Sequence, residues 1–137
     1  MKGCVFCELW DGQDKRIFFK NSVCYVIADR LPVSFGHLLV IPNKHYADMF
    51  EAPDDVIAEL FKTAKAFGTI LMKSLTADGI NLTVNNGSAA GQDVFHLHVH
   101  VIPRYSDSDF SLYAKMHREE ITPEDFEKLK AALSKRQ

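Results

Sequence analysis

Residues 92–104 read Gln-Asp-Val-Phe-His-Leu-His-Val-His-Val-Ile-Pro-Arg, and they hold the densest chemistry in the chain. His96, His98 and His100 alternate with Phe95, Leu97, Val99 and Val101. A period of two is the repeat of a β-strand. The apolar residues need a core, which predicts one face turned inward and three imidazoles on the other, roughly 7 Å between next-but-one residues. Pro103 cannot donate to a ladder, so the expected strand spans about 94–102. A lone histidine on a strand is ordinarily a surface or satisfied residue. Three at alternate positions, half of the six in the chain, point to function instead. One use is a metal site, since neutral imidazole is a common ligand. The other is an imidazole nucleophile or general base oriented by its neighbours. Alternation alone leaves both open.

A second group with chemical potential is Cys4-Val5-Phe6-Cys7. Cys-x-x-Cys can be a redox pair, half a zinc site, or two buried thiols. A redox pair follows a strand and opens a helix, and no strand precedes this one. Half a zinc site and plain packing both stay open on spacing.

The elements that must position these groups come from a chain of 137 residues, 47% hydrophobic and 25% charged, enough for a single domain over residues 1–137 with a real core. A net charge of −2 gives no field for holding nucleic acid, so attraction for phosphate must be local. The start lacks the apolar run of a signal peptide, no 18-residue apolar segment offers a membrane span, and three cysteines make a poor disulfide framework. A reducing cytoplasm is the expected compartment.

Residues 10–14 read as a turn, 16–20 and 23–28 as a hairpin around Asn21-Ser22 with Cys24 as a small apolar filler, and 36–42 as a strand stopped by Pro42. Asp29 lies where the chain leaves the sheet, and His37 where it re-enters. His45 follows the Pro42 turn and, taken alone, is a surface histidine. The period then becomes helical over about 54–77, after an acidic first turn, with Asp78-Gly79 as the expected stop. Ile57, Phe61, Ile70 and Met72 widen its apolar arc beyond what one sheet requires, which suggests a homodimer. Residues 79–85 alternate as another strand, whose polar face (Asn81, Thr83, Asn85) has the parity to lie beside the histidines. The small residues 86–92 could bring bare amides close to an anion without being a Walker loop. Residues 106–109 read as loop, His117 as exposed, and about 123–134 as a helix capped by Thr122. The sum is an α+β domain, an antiparallel sheet with helices on one face.

The wording His-x-His-x-His with apolar x, preceded by Gly91-Gln92, closely resembles the signature of the histidine-triad (HIT) family, and the resemblance covers nearly the whole chain. It implies a five-stranded antiparallel sheet continued across a homodimer. It implies a nucleotide hydrolase or transferase acting at the α-phosphate of nucleoside phosphoramidates or (di)nucleoside polyphosphates, through a nucleotidyl-histidine that releases an AMP-like monophosphate. In that reading His98 is the nucleophile, His100 hydrogen-bonds the phosphate or leaving group, His96 buttresses the array, and His37 is the upstream histidine near it. Asp29 holds ribose, Asn85 and Gln92 hold phosphate oxygens or the bridging atom, and Phe6, Leu9 and Ile27 wall the base. Zinc-bearing relatives resemble the chain at Cys4, Cys7 and His45, implying a structural zinc on these residues and His96, with no catalytic metal. Asp93 departs from the serine or threonine that many relatives carry. A carboxylate repels phosphate, so either its N–H serves or its side chain meets a cation on the leaving side. Two rivals are a triad-zinc metalloenzyme and a non-catalytic nucleotide-binding adaptor dimer.

Overall fold

A computed structural model describes residues 1–106 and 119–134, so His117 and most of the expected 106–109 loop lie outside the described residues. The strands are β1 (Phe19–Lys20), β2 (Cys24–Ala28), β3 (Leu38–Pro42), β4 (Gly79–Thr83) and β5 (Val99–Arg104); the helices are α1 (Val5–Asp11), α2 (Asp54–Ser74) and α3 (Pro123–Leu133). The strands form one antiparallel sheet in the order β1-β2-β3-β5-β4.

The central strands β2 and β3 are apolar on both sides because both faces of the sheet are covered. Cys24, Val26, Leu38, Val40, Val99 and Val101 meet Leu60, Ala64, Phe67 and Leu71 of α2 and Leu129 and Leu133 of α3. The two longer helices thus share one face, as expected. On the other face Tyr25, Ile27, Leu39 and Ile41 pack against Phe6 and Leu9 of α1, and the Tyr25 hydroxyl donates to the Phe6 carbonyl at 2.5 Å. The sequence reading has only a turn near this short helix. Its N-cap, Cys4, makes no side-chain cap bond, and seven residues are too few for a clear helical period.

Four boundaries near the site differ from the expected ones. Helix α2 stops at Ser74 rather than near 77: Thr76 takes a left-handed φ of 53°, and the Asp78 N–H already donates to the Arg104 carbonyl. Strand pairing claims residue 78 first. Strand β5 starts at Val99 rather than 94. Its pairing with β3 runs only from Leu38↔Val101 to Val40↔Val99, and beyond it the Pro42 carbonyl accepts from the His96 ring while the Leu97 N–H donates to Tyr46. Phe95, expected inside, is 50% exposed on this unpaired bend. The strand also continues through Pro103. That carbonyl accepts from Ser34 Oγ at 2.6 Å, so the imide nitrogen faces the same way, past the end of β3, where no donor is needed. Strand β4 ends at Thr83, two residues before the expected Asn85.

Candidate active site

Because β5 alternates, Val99 and Val101 go into the core under α2, while His98 and His100 emerge on the α1 face. There they line a cavity of about 480 Å³, within the size range of small-ligand sites. Its apolar end is Phe6, Leu9, Ile27 and Phe126; its polar end is Asn85, Gly91, Asp93, Asp29 and His37. A larger hollow between β1 and α2, about 660 Å³, contains no imidazole or thiol and offers no comparable chemistry.

Backbone groups fix the tautomers of the buried rings, since a carbonyl can only accept and an N–H only donate. His98 Nδ1 lies 2.7 Å from the His96 carbonyl and so carries the proton, leaving Nε2 with the lone pair. Burial lowers the His98 pKa, partly opposed by that bond and by Asp93 and Asp29, so the ring is neutral near pH 7. Phe6 meets it edge-on at 5.2 Å between centroids. The Val33 N–H donates to His37 Nδ1 at 3.0 Å, which places the His37 proton on Nε2. That nitrogen is 3.0 Å from His100 Nδ1 and 3.4 Å from Asp29 Oδ2. His100 Nδ1 therefore accepts, and its own proton sits on Nε2. Asp29, His37 and His100 have the composition of a metal site, yet a protonated His37 Nε2 is closed to a metal bond.

His96 does not line the cavity; it is fully buried behind it. Its Nε2–H donates to the Pro42 carbonyl at 2.9 Å, so Nδ1 holds the lone pair, and burial lowers its pKa to about 4. Nδ1 is 3.3 Å from Cys4 Sγ and 3.5 Å from Cys7 Sγ, and His45 Nδ1 is 3.4 Å from Cys7 Sγ. The four donor atoms lie within 4.8 Å of one another. A tetrahedral zinc with Zn–S of about 2.3 Å and Zn–N of about 2.0–2.1 Å has S···N edges of about 3.5 Å. The donor set fits that ion in type, number and spacing. Helix α1 brings the thiols together, as Cys4 caps it and Cys7 is in its first turn.

Gln92 does not reach the cavity either. Its Oε1 accepts from the Gly87 N–H and its Nε2 donates to the Ala47 and Val94 carbonyls, so it braces the 86–92 loop from within. That loop turns through Gly87 and Gly91, with φ of 94° and 93°, values that suit glycine. Asn85, Asp93, Asp29, Phe6, Leu9, Ile27 and His37 all line the cavity. Phe126 and Ile121 also line it and have no sequence signal of their own. The C-terminal segment is brought there by the Ile121 N–H, which donates to the Arg30 carbonyl, and by Phe126 stacking on Phe18 at 5.1 Å.

The profile of the HIT domain matches residues 11–107. The chain is 39% identical over 102 residues to the adenylylsulfatase HINT3 of Arabidopsis thaliana, covering 74% of this chain and 52% of that protein, so it spans about half of that relative's length. A histidine triad nucleotide-binding protein from Sulfolobus tokodaii superposes with a TM-score of 0.84 at 36% identity, covering 96% of this chain and 90% of that one. A zinc-bound histidine triad family protein from Mycobacterium smegmatis does so with 0.83 at 32%, covering 97% and 94%. With the profile spanning all five strands and including His37, His96, His98 and His100, the chain belongs to the HIT domain family.

Proposed function

We propose that this protein is a nucleotidyl hydrolase or transferase that acts at the α-phosphate of a nucleoside phosphoramidate or (di)nucleoside polyphosphate through His98. The His98 ring carries the reading: a buried, neutral imidazole on the cavity wall, its Nδ1–H held by a main-chain carbonyl and its Nε2 lone pair left over. The Nε2–P bond forms as the bond to the leaving group breaks, and the leaving atom takes the electron pair. His100 Nε2–H is the donor available to the phosphoryl oxygen or to that atom, held in this tautomer by His37. Water then attacks phosphorus, the P–Nε2 bond breaks, and a nucleoside monophosphate leaves. Its protons are shared between that product and the departed group. Asp29 suits ribose hydroxyls, Asn85 and the main-chain N–H of Asp93 suit phosphate oxygens, and Phe6, Leu9 and Ile27 suit a base; the N–H groups of Gly87, Ala90, Gly91 and Gln92, which the sequence suggested as bare amides, already donate within their own loop.

The Cys4, Cys7, His45, His96 cluster is assigned to a structural zinc. A closed four-ligand shell has no open position for water, and when bound the ion would clamp α1 to the segment before β5. The tautomers of His37 and His100 speak against a second, catalytic zinc. The same reading carries a homodimer that buries the Ile57, Phe61 and Met72 side of α2, next to the β4 edge. Gly68 of α2 packs on Ile80 of β4, so Phe61 and Met72 run along that edge, where Met72 and Leu82 are 44% and 41% exposed.

The test is turnover of a panel of adenosine phosphoramidates, adenylyl sulfate and dinucleoside polyphosphates by wild type and His98→Ala. Wild type should release AMP, and the variant should bind nucleotide while losing at least three decades in kcat, as loss of covalent catalysis costs orders of magnitude. Retention of more than about a tenth of kcat, under one decade of rate, would put the nucleophile elsewhere. Binding without any turnover by wild type would favour the adaptor.

A further inference from the structure

At the polar end of the cavity stands one carboxylate without a role in the scheme above. Asp93 is exposed, lines the cavity beside Gly91 and Asn85, and acts on His98 through its charge. Neither its N–H nor its side chain has a hydrogen-bond or ion-pair partner among the described residues. The described cations of the cavity wall are Arg16 and Arg30. Arg16 is gripped by Asp14 through Nε and Nη2, and Arg30 is paired with Glu120. Each guanidinium thus has an acid of its own. Among the described residues no lysine or arginine forms an ion pair with Asp93.

The position of Asp93 on the chain sharpens this. Asn85 and Asp93 flank the 86–92 loop, and Asp93 stands between that loop and the bend leading to His98. Whatever extends from phosphorus away from the ribose and base leaves through this side. An anionic extension would meet a carboxylate that no described cation pairs with; a cationic one would meet its complement. In the proposed pose the main-chain N–H of Asp93, which has no acceptor among the described residues, would serve the phosphate and its side chain would meet the departing group.

We infer that Asp93 selects the charge of the leaving group, so that the site takes nucleoside phosphoramidates of amines bearing a second, cationic group in preference to anionic leaving groups such as polyphosphate, sulfate or a carboxylate-bearing amine. This rests on the cavity being the nucleotide site proposed above. One unit charge within about 7 Å in well-hydrated surroundings shifts binding roughly threefold for each sign, giving about a tenfold separation between an ammonium and a carboxylate.

The experiment uses adenosine 5′-phosphoramidates that differ only at the far end of the amine: an ammonium, a methyl, or a carboxylate. Their affinities are measured on His98→Ala, which leaves the probes intact, and kcat/KM is measured on the protein with His98. Both sets are compared with Asp93→Asn, and Asp93→Lys supplies the opposite charge. The ammonium probe should be favoured over the carboxylate probe by about tenfold, the ratio should shrink toward one in Asp93→Asn and in high salt, and Asp93→Lys should invert it. A ratio near one in the Asp93 background, or one that survives in Asp93→Asn, overturns the inference. The two readings fail separately. A charge preference in binding without turnover keeps this selection and removes the hydrolase; turnover without charge preference does the reverse.

Discussion

Replacing Cys4 and Cys7 with serine removes both thiolates of the proposed zinc shell and is expected to lower thermal stability far more than activity. The cluster joins α1 to residues 45 and 96, which lie 38 and 89 positions from Cys7 along the chain. Without the ion, α1 is held by its packing on Tyr25, Ile27, Leu39 and Ile41 and by the Tyr25–Phe6 bond. Zinc present at about a hundred times its Kd adds about 2.7 kcal/mol to the folded state. With an unfolding entropy of about 2.1 cal/mol/K per residue, a chain of 137 residues loses about 9 °C in Tm when that contribution goes. Calorimetry of wild type with and without a strong chelator, and of the double serine variant, reads the shift; elemental analysis of protein purified without added metal reads the ion. Wild type should hold about one zinc, and chelated wild type and the variant should melt together, with substantial turnover retained. Less than about a tenth of an equivalent of zinc, free thiols at both cysteines, and a Tm indifferent to chelator would reduce the pair to packing.

Charge on the Ile57, Phe61, Met72 side of α2 should break the proposed dimer: Phe61→Asp is expected to halve the mass seen by light scattering, and a wild-type monomer at micromolar concentration would refute the interface. Burial holds the His98 pKa below its ordinary value, so the nucleophilic neutral form persists as pH falls past about 6.5. Protonation removes its lone pair, so kcat/KM should fall only below that point and stay flat above it as far as this ring is concerned. An acid limb with its midpoint at or above 6.5 would show that His98 is not the titrating nucleophile.

The parity of residues 95–101 was readable because one face of β5 meets a core and a one-residue slip would bury imidazoles under α2. It was misread at Phe95, where β3 has already run out of pairing and the side chain falls on a bend. The cavity walls supplied by Asp29, Ile27, Asn85 and the α1 residues followed from resemblance rather than from any local pattern. Gln92 shows the limit of that route: its amide is satisfied inside the loop, a fact of geometry that no spacing reveals. Phe126 and Ile121 reach the cavity by tertiary contact with Phe18 and Arg30, so their part is invisible in a helix that otherwise reads as a plain capped element. Helix α2 was legible in type and start, yet its end depended on competition with the β4–β5 ladder at Asp78.

The bond that orients His98 comes from the carbonyl of residue 96, whereas the bonds that face the thiols come from that residue's ring. Every amino acid has the carbonyl; only a few have a ring nitrogen to offer. Descendants of this chain could therefore lose the Cys pair and change the side chain at 96 while the nucleophile keeps its tautomer. The proposed zinc shell and the proposed nucleophile meet at one residue, but they depend on different atoms of it and can drift apart.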